Sequence, residues 1–133
     1  MKAPLSKLLE EIDRRAFKKD ITRFETEDKD IGKIRDIIMC AIMSFAKGRI
    51  PQTKLLCINV LLDYGNDDGD QFYVFVDANT LYMEPEDFFE EVAKPQSTKV
   101  AKAIEHRTDI ENMRSYKDAQ KLIISVFQYK EEV

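Results

Sequence analysis

Two runs of strand-forming residues, Lys54 to Tyr64 and Phe72 to Ala78, flank the turn-forming tract Gly65-Asn66-Asp67-Asp68-Gly69-Asp70, so an antiparallel hairpin belongs at the centre of the chain. A turn of Asp67, Asp68 and Gly69 with Gly69 left-handed sets Asn66 opposite Asp70. One face then carries Leu56, Ile58, Val60, Leu62 and Tyr64 opposite Phe72, Val74, Val76 and Ala78, all apolar or aromatic. The other carries Leu55, Cys57, Asn59, Leu61 and Asp63 with Tyr73, Phe75 and Asp77, a mixed surface. A two-residue Asp68-Gly69 turn shifts the pairing by one position and destroys this segregation, so the pattern favours the longer loop.

Helical periodicity frames the hairpin. Leu5, Leu8, Leu9, Ile12 and Ala16 make an amphipathic cover helix with Lys7, Glu10, Glu11 and Arg14 outside. Lys18 to Lys29 loses that period and reads as a charged connection. A second helix is expected from an Asp28 cap to Gly48. Its stripe of Ile31, Ile34, Ile38, Ala41, Ile42 and Phe45 is widened by Ile37, Met39, Cys40, Met43 and Ala46, so it needs cover on several sides. That points to a central core helix or, as the alternative, a homo-oligomer contact through Ile31 to Phe45.

After the hairpin, Thr80 to Met83 has room for a third short strand, and Pro85 starts a helix that Pro95 stops. Ser97 or Thr98 caps a helix holding Val100, Ala101 and Ile104, and Thr108 with Glu111 forms a capping box for a short successor. Ala119, Leu122, Ile123, Val126 and Phe127 repeat at helical spacing from a cap at Ser115, although Leu122 to Tyr129 is β-branched enough for a strand; the period favours helix. The expected fold is therefore α+β: two N-terminal helices, a central antiparallel hairpin, then C-terminal helices. With 133 residues, no linker and no internal repeat, residues 1–133 read as one domain.

Little in the sequence points to chemistry. His106 is the only histidine, and Cys40 and Cys57 sit on apolar stretches as reduced core thiols, so no zinc site assembles. Ser44-Phe45-Ala46-Lys47 matches a Ser-x-x-Lys pattern, but the helix dipole alone accounts for a lysine at a helix end. Gly32, Gly48, Gly65 and Gly69 are too scattered to cradle a phosphate. A calcium loop with Gly69 at its sixth position has Tyr64 and Phe75 where acids are required. No cofactor is expected. The absence of an apolar leader or of a run near 20 apolar residues predicts a cytoplasmic setting without a membrane partner.

Charge distribution is more informative than the net −4. Asp63 to Glu91 contains ten acids and no lysine or arginine. The expected function is a small non-catalytic protein-binding module, an inhibitor, adaptor or regulatory subunit, that meets a partner with a basic surface. Its candidate site is Asp63, Asp68, Asp70, Tyr73, Asp77, Glu84, Glu86, Asp87, Glu90 and Glu91, with the mixed hairpin face as the other candidate surface. One alternative is nucleic-acid binding through Arg14, Arg15, Lys18, Lys19 and Arg23, a cluster diluted by Glu10, Glu11, Asp13 and Asp20. Another is a magnesium-dependent phosphodiesterase or nuclease using Asp63 or Asp77 with Glu84.

Overall fold

The computed structural model describes residues 4–15, 21–47, 55–77, 83–108 and 112–128, the side chains of Leu55 and Asp77 excepted. In chain order these hold α1 (Leu5–Arg15), β1 (Ile21–Thr26), α2 (Ile31–Ala46), β2 (Leu55–Gly65), β3 (Asp68–Asp77), α3 (Pro85–Phe88), a π-helical turn (Phe89–Ala93), α4 (Lys94–His106), a 3-10 turn (Tyr116–Asp118) and β4 (Lys121–Gln128). The strands form one sheet in the order β1-β4-β2-β3, every neighbouring pair antiparallel. The fold is α+β.

The sheet divides the core into two unequal layers. On one face Leu56, Ile58, Val60, Leu62, Val74, Val76, Leu122, Ile124 and Val126 pack with α2, α4 and the π turn. On the other, Leu8 and Ile12 of α1 cover Cys57, Leu61, Ile123 and Phe127. Ile34, Ile38 and Ile42 are fully buried within the chain, so α2 is the central helix, and its stripe needs no second subunit to cover it. Its cap is Asp30, whose side chain accepts from the Lys33 N–H at 3.1 Å, two residues later than Asp28. Cys40 is exposed on α2, contrary to its expected burial, whereas Cys57 is buried.

Four expectations are corrected. First, Ile21–Thr26 is the edge strand β1, not a connection. Its alternation puts Phe24 against the main core and Ile21 against the α1 layer. On Ile21's face Arg23 meets Asp13 and Ser125, while Glu25 pairs with Lys121. Charges at alternate positions suit a strand with one open face.

Second, the C-terminal segment is β4, not a helix, and it runs between β1 and β2. Leu122 to Phe127 is buried on both faces, and a strand buried on both sides has no alternation to separate it from a helix. The Ser115 cap is real, completed by Asp118 as a capping box, but the helix it opens is a single 3-10 turn.

Third, Pro95 does not stop a helix; the rod continues from Pro85 to His106. The π turn just before Pro95, in which the Lys94 N–H reaches back to the Phe89 carbonyl, widens the helix where the proline ring would crowd the preceding turn. Ser97 and Thr98 do not cap; their hydroxyls donate back to the Lys94 carbonyl.

Fourth, the hairpin register differs. The loop is Asn66-Asp67, with φ of 54° and 59°, preceded by Gly65 at φ 87° and an irregularity between Asp63 and Gly65. Ile58 therefore faces Val74 rather than Ala78, a displacement of 78 − 74 = 4 residues. An even displacement leaves each side chain on its expected face, so the segregation survives although the pairs change. Gly69 is not left-handed. It serves a close approach: a Cβ there would lie 3.0 Å from Leu5 Cδ1 and 3.3 Å from the Leu62 carbonyl oxygen.

The expected ends at Ala16 and Gly48, the Thr80 to Met83 strand up to residue 82, and the Thr108 to Glu111 box beyond Thr108 lie outside the described residues.

Candidate functional site

The acidic segment divides into two parts with different roles. The acids at the hairpin tip, Asp63, Asp67, Asp68 and Asp70, are held by other parts of the chain, while the Asp77 side chain lies outside the described residues. Asp63 is 4 % exposed; its carboxylate accepts from the Gly65 N–H at 2.8 Å and the Gln120 side chain at 3.3 Å, which closes the bulge before the turn. Asp67 receives the start of α1: its carbonyl accepts from the Leu5 N–H at 2.8 Å and its carboxylate from the Ser6 N–H and hydroxyl at 2.9 and 3.0 Å. The helix thus borrows its cap from the hairpin tip.

Two arginines neutralise the remaining tip acids. Arg107, at the C-cap of α4, grips Asp70 through Nε and Nη2, both at 2.9 Å, and its Nη2 also donates to the Gln71 carbonyl at 2.9 Å. Arg114 pairs with Asp68 at 2.8 Å while its guanidinium lies 3.7 Å from the centre of the Tyr64 ring. A planar guanidinium suits this double duty of forked hydrogen bonding and stacking. Sequence reading missed Arg107, Arg114, Ser6 and Gln120. The usable signal was the lack of bases within the acidic segment itself, which obliges any neutralising partner to come from another part of the chain.

The other half faces outward. Glu84, Glu86, Asp87, Glu90 and Glu91 are all exposed at the start of the α3 rod. Glu86 and Asp87 lie in its first turn, where the helix dipole favours anions. Glu90 and Glu91 lie a turn further on, where Glu90 meets Lys94 at 3.7 Å with both side chains 62 % exposed. Such a pair offsets little of the local charge.

On the mixed face, Asn59 is buried and donates to Gln71 at 3.0 Å. Tyr73 is half-buried, with the Arg15 guanidinium 5.6 Å above its ring and the Phe75 ring stacked beside it at 6.3 Å. Burial, reinforced by Glu11, raises the Tyr73 phenol above its usual range. Phe75 is 49 % exposed, a large apolar side chain in the open on β3, at the sheet edge. The sequence placed it on this face but did not select it.

Asp63 and Asp77, each a candidate for metal chemistry with Glu84, lie at opposite ends of the hairpin. Asp63 pairs near the turn and Asp77 pairs with Leu55 at the far end, so eight residues of strand, about 26 Å at 3.3 Å per residue, separate them. Among the described residues no group of three or more His, Cys, Asp or Glu is placed to hold a metal ion. The basic N-terminal cluster is also partly engaged: Arg15 bonds Glu11 at 2.8 Å and Arg23 bonds Asp13 at 2.9 Å, while Lys18 and Lys19 lie outside the described residues. No described helix is long and apolar enough to cross a membrane. No family model, curated protein or solved structure matches this chain.

Proposed function

We propose that this chain is a non-catalytic protein-binding module that presents the acidic start of the α3 rod to a partner with a basic surface. The observation that carries the reading is the outward carboxylates Glu84, Glu86, Asp87, Glu90 and Glu91, left in solvent while Asp68 and Asp70 at the hairpin tip are paired with arginines. Single-sign charge on a rigid helical element speeds encounter with an opposite surface and selects against like-charged partners. The π turn supports the same reading in a smaller way, since Val92 and Ala93 anchor it in the core and fix Glu90 and Glu91 on a firm base.

The test compares wild type with a Glu86→Lys, Asp87→Lys, Glu90→Lys triple variant in affinity capture from native lysate, at low and moderate salt. Proteins retained by wild type at low salt should be lost from the variant and released as salt rises, because exposed charges are screened beyond about 8 to 10 Å at moderate ionic strength. The same proteins retained by both, without salt dependence, would remove the ridge from the account.

A further inference from the structure

One transverse row of the sheet places polar side chains inside the apolar layer that α1 covers. Arg23, Ser125, Asn59 and Tyr73 lie opposite one another in turn across β1, β4, β2 and β3. The central pair, Asn59 and Ser125, stands between two apolar pairs, Cys57 with Phe127 and Leu61 with Ile123, and Leu8 and Ile12 of α1 pack onto the same layer. Both central side chains are 0 % exposed.

Within this enclosure the hydrogen bonds do not close. Asn59 Nδ2 donates to Gln71 at 3.0 Å, and the Ser125 hydroxyl accepts from Arg23 Nε at 3.3 Å with its own proton still to give. Among the described residues, no donor reaches Asn59 Oδ1. The Tyr73 hydroxyl is buried as well, with Gln71 near enough to ease its ionisation but not within hydrogen-bond distance. Turning the Asn59 amide over only exchanges which of its two ends is paired. Native folds almost always supply a partner to a polar atom shut away from solvent in this way.

We infer that the row holds one internal water molecule, which accepts from the Ser125 hydroxyl, donates to Asn59 Oδ1 and takes the Tyr73 hydroxyl as its third partner. Facing side chains on paired strands have Cβ atoms about 4.5 to 5.5 Å apart. Two hydrogen bonds through one water span roughly 5.5 Å, so a water over the Asn59 amide reaches its neighbours on both sides. The enclosure selects the ligand. Full burial of Asn59 and Ser125 excludes anything large, and among the described residues no group of three or more His, Cys, Asp or Glu is placed to hold a cation. Arg23, the charged member of the row, is already paired with Asp13 at 2.9 Å, so no anion is called for. What remains is a small ligand that both gives and takes hydrogen bonds, and water with two to four polar partners meets that need. The site is independent of the α3 ridge.

Oxygen-17 magnetic relaxation dispersion on the purified full chain tests the site, because it registers water oxygen held longer than the protein tumbles and is blind to the protein's own hydroxyls. Asn59→Leu, with circular dichroism like that of wild type, should lose the amplitude of one long-lived water. Equal amplitudes in wild type and a folded Asn59→Leu overturn the inference. If Asn59→Leu does not fold, a high-resolution crystal structure of wild type decides. A solvent peak about 3 Å from both the Asn59 amide and Ser125 Oγ is the expected result. An Asn59 amide bonded directly to Ser125 or Tyr73, with no peak between them, overturns it.

Discussion

The hairpin tip and the start of the α3 rod are both rich in acids and free of lysine and arginine, yet one half of this acidic segment is structural and the other is surface. At the tip, Asp63 closes the bulge, Asp67 caps α1, and Asp68 and Asp70 hold arginines that arrive from after α4. On the rod, the one ion pair of Glu90 or Glu91 among the described residues is the exposed contact of Glu90 to Lys94. A run of like charge in sequence is therefore not a surface until the fold decides which members meet a counter-charge. Where a carboxylate is partly desolvated it must be paired, and where it stays in water it need not be.

Substitutions should separate the two halves, with the core as a scale. Ile42→Ala removes a fully buried side chain from α2 and should cost about 2 to 5 kcal/mol in chemical denaturation, more than any acidic residue. A loss well below that would mean α2 is not the centre of the fold. Next, Arg107→Ala should cost about 1.5 to 2 kcal/mol, the low end for hydrogen bonds to charged groups because Asp70 and Arg107 are 25 % and 37 % exposed. If Arg107→Ala is neutral, the tip is as dispensable as the rod and the contrast collapses.

The turn itself offers a sharper case. Gly65→Ala should cost about 1 kcal/mol through its left-handed backbone, and Gly69→Ala a similar amount by crowding Leu5 and the Leu62 carbonyl. Repeating both in a Leu5→Ala background tells the causes apart. The Gly69 loss should shrink there, and the Gly65 loss should not.

Asp67→Ala removes the borrowed cap and should cost about 1 kcal/mol. Because α1 lies over Cys57, the same change should speed alkylation of that thiol. In wild type at pH 8 only Cys40 should react quickly, since burial pushes the Cys57 thiol up to about 12. The sign of the linked pH effect follows: the unfolded thiol titrates near 9.0 and the folded one near 12, so this contribution is complete below pH 9 and is lost as pH rises through that window. The smallest effect belongs to the rod. Glu91→Lys should change stability by no more than about 0.5 kcal/mol and leave Cys57 labelling unchanged. A larger loss would place Glu91 among the structural acids.

Local patterns determined the elements that have one open face. The leucines of α1, the isoleucine stripe of α2 and the two faces of the hairpin were all legible, because a side chain that alternates between water and core writes its period into the sequence. The two halves of the candidate site were legible as a single acidic segment and no further. Tertiary packing decided the rest. β4 is buried on both faces and so shows no alternation, and β1 is an edge whose charges disguise it as a loop until Ser125, Lys121 and Asp13 are beside it. The hairpin register fell to a turn that local propensity did not select, since only Asn66-Asp67 at the tip presents a carboxylate to α1 and sets Gly69 against Leu5. Sequence by itself fixes which faces are apolar through the parity of strand and helix; which residues meet, and which acids remain in water, depends on contacts between segments far apart in the chain.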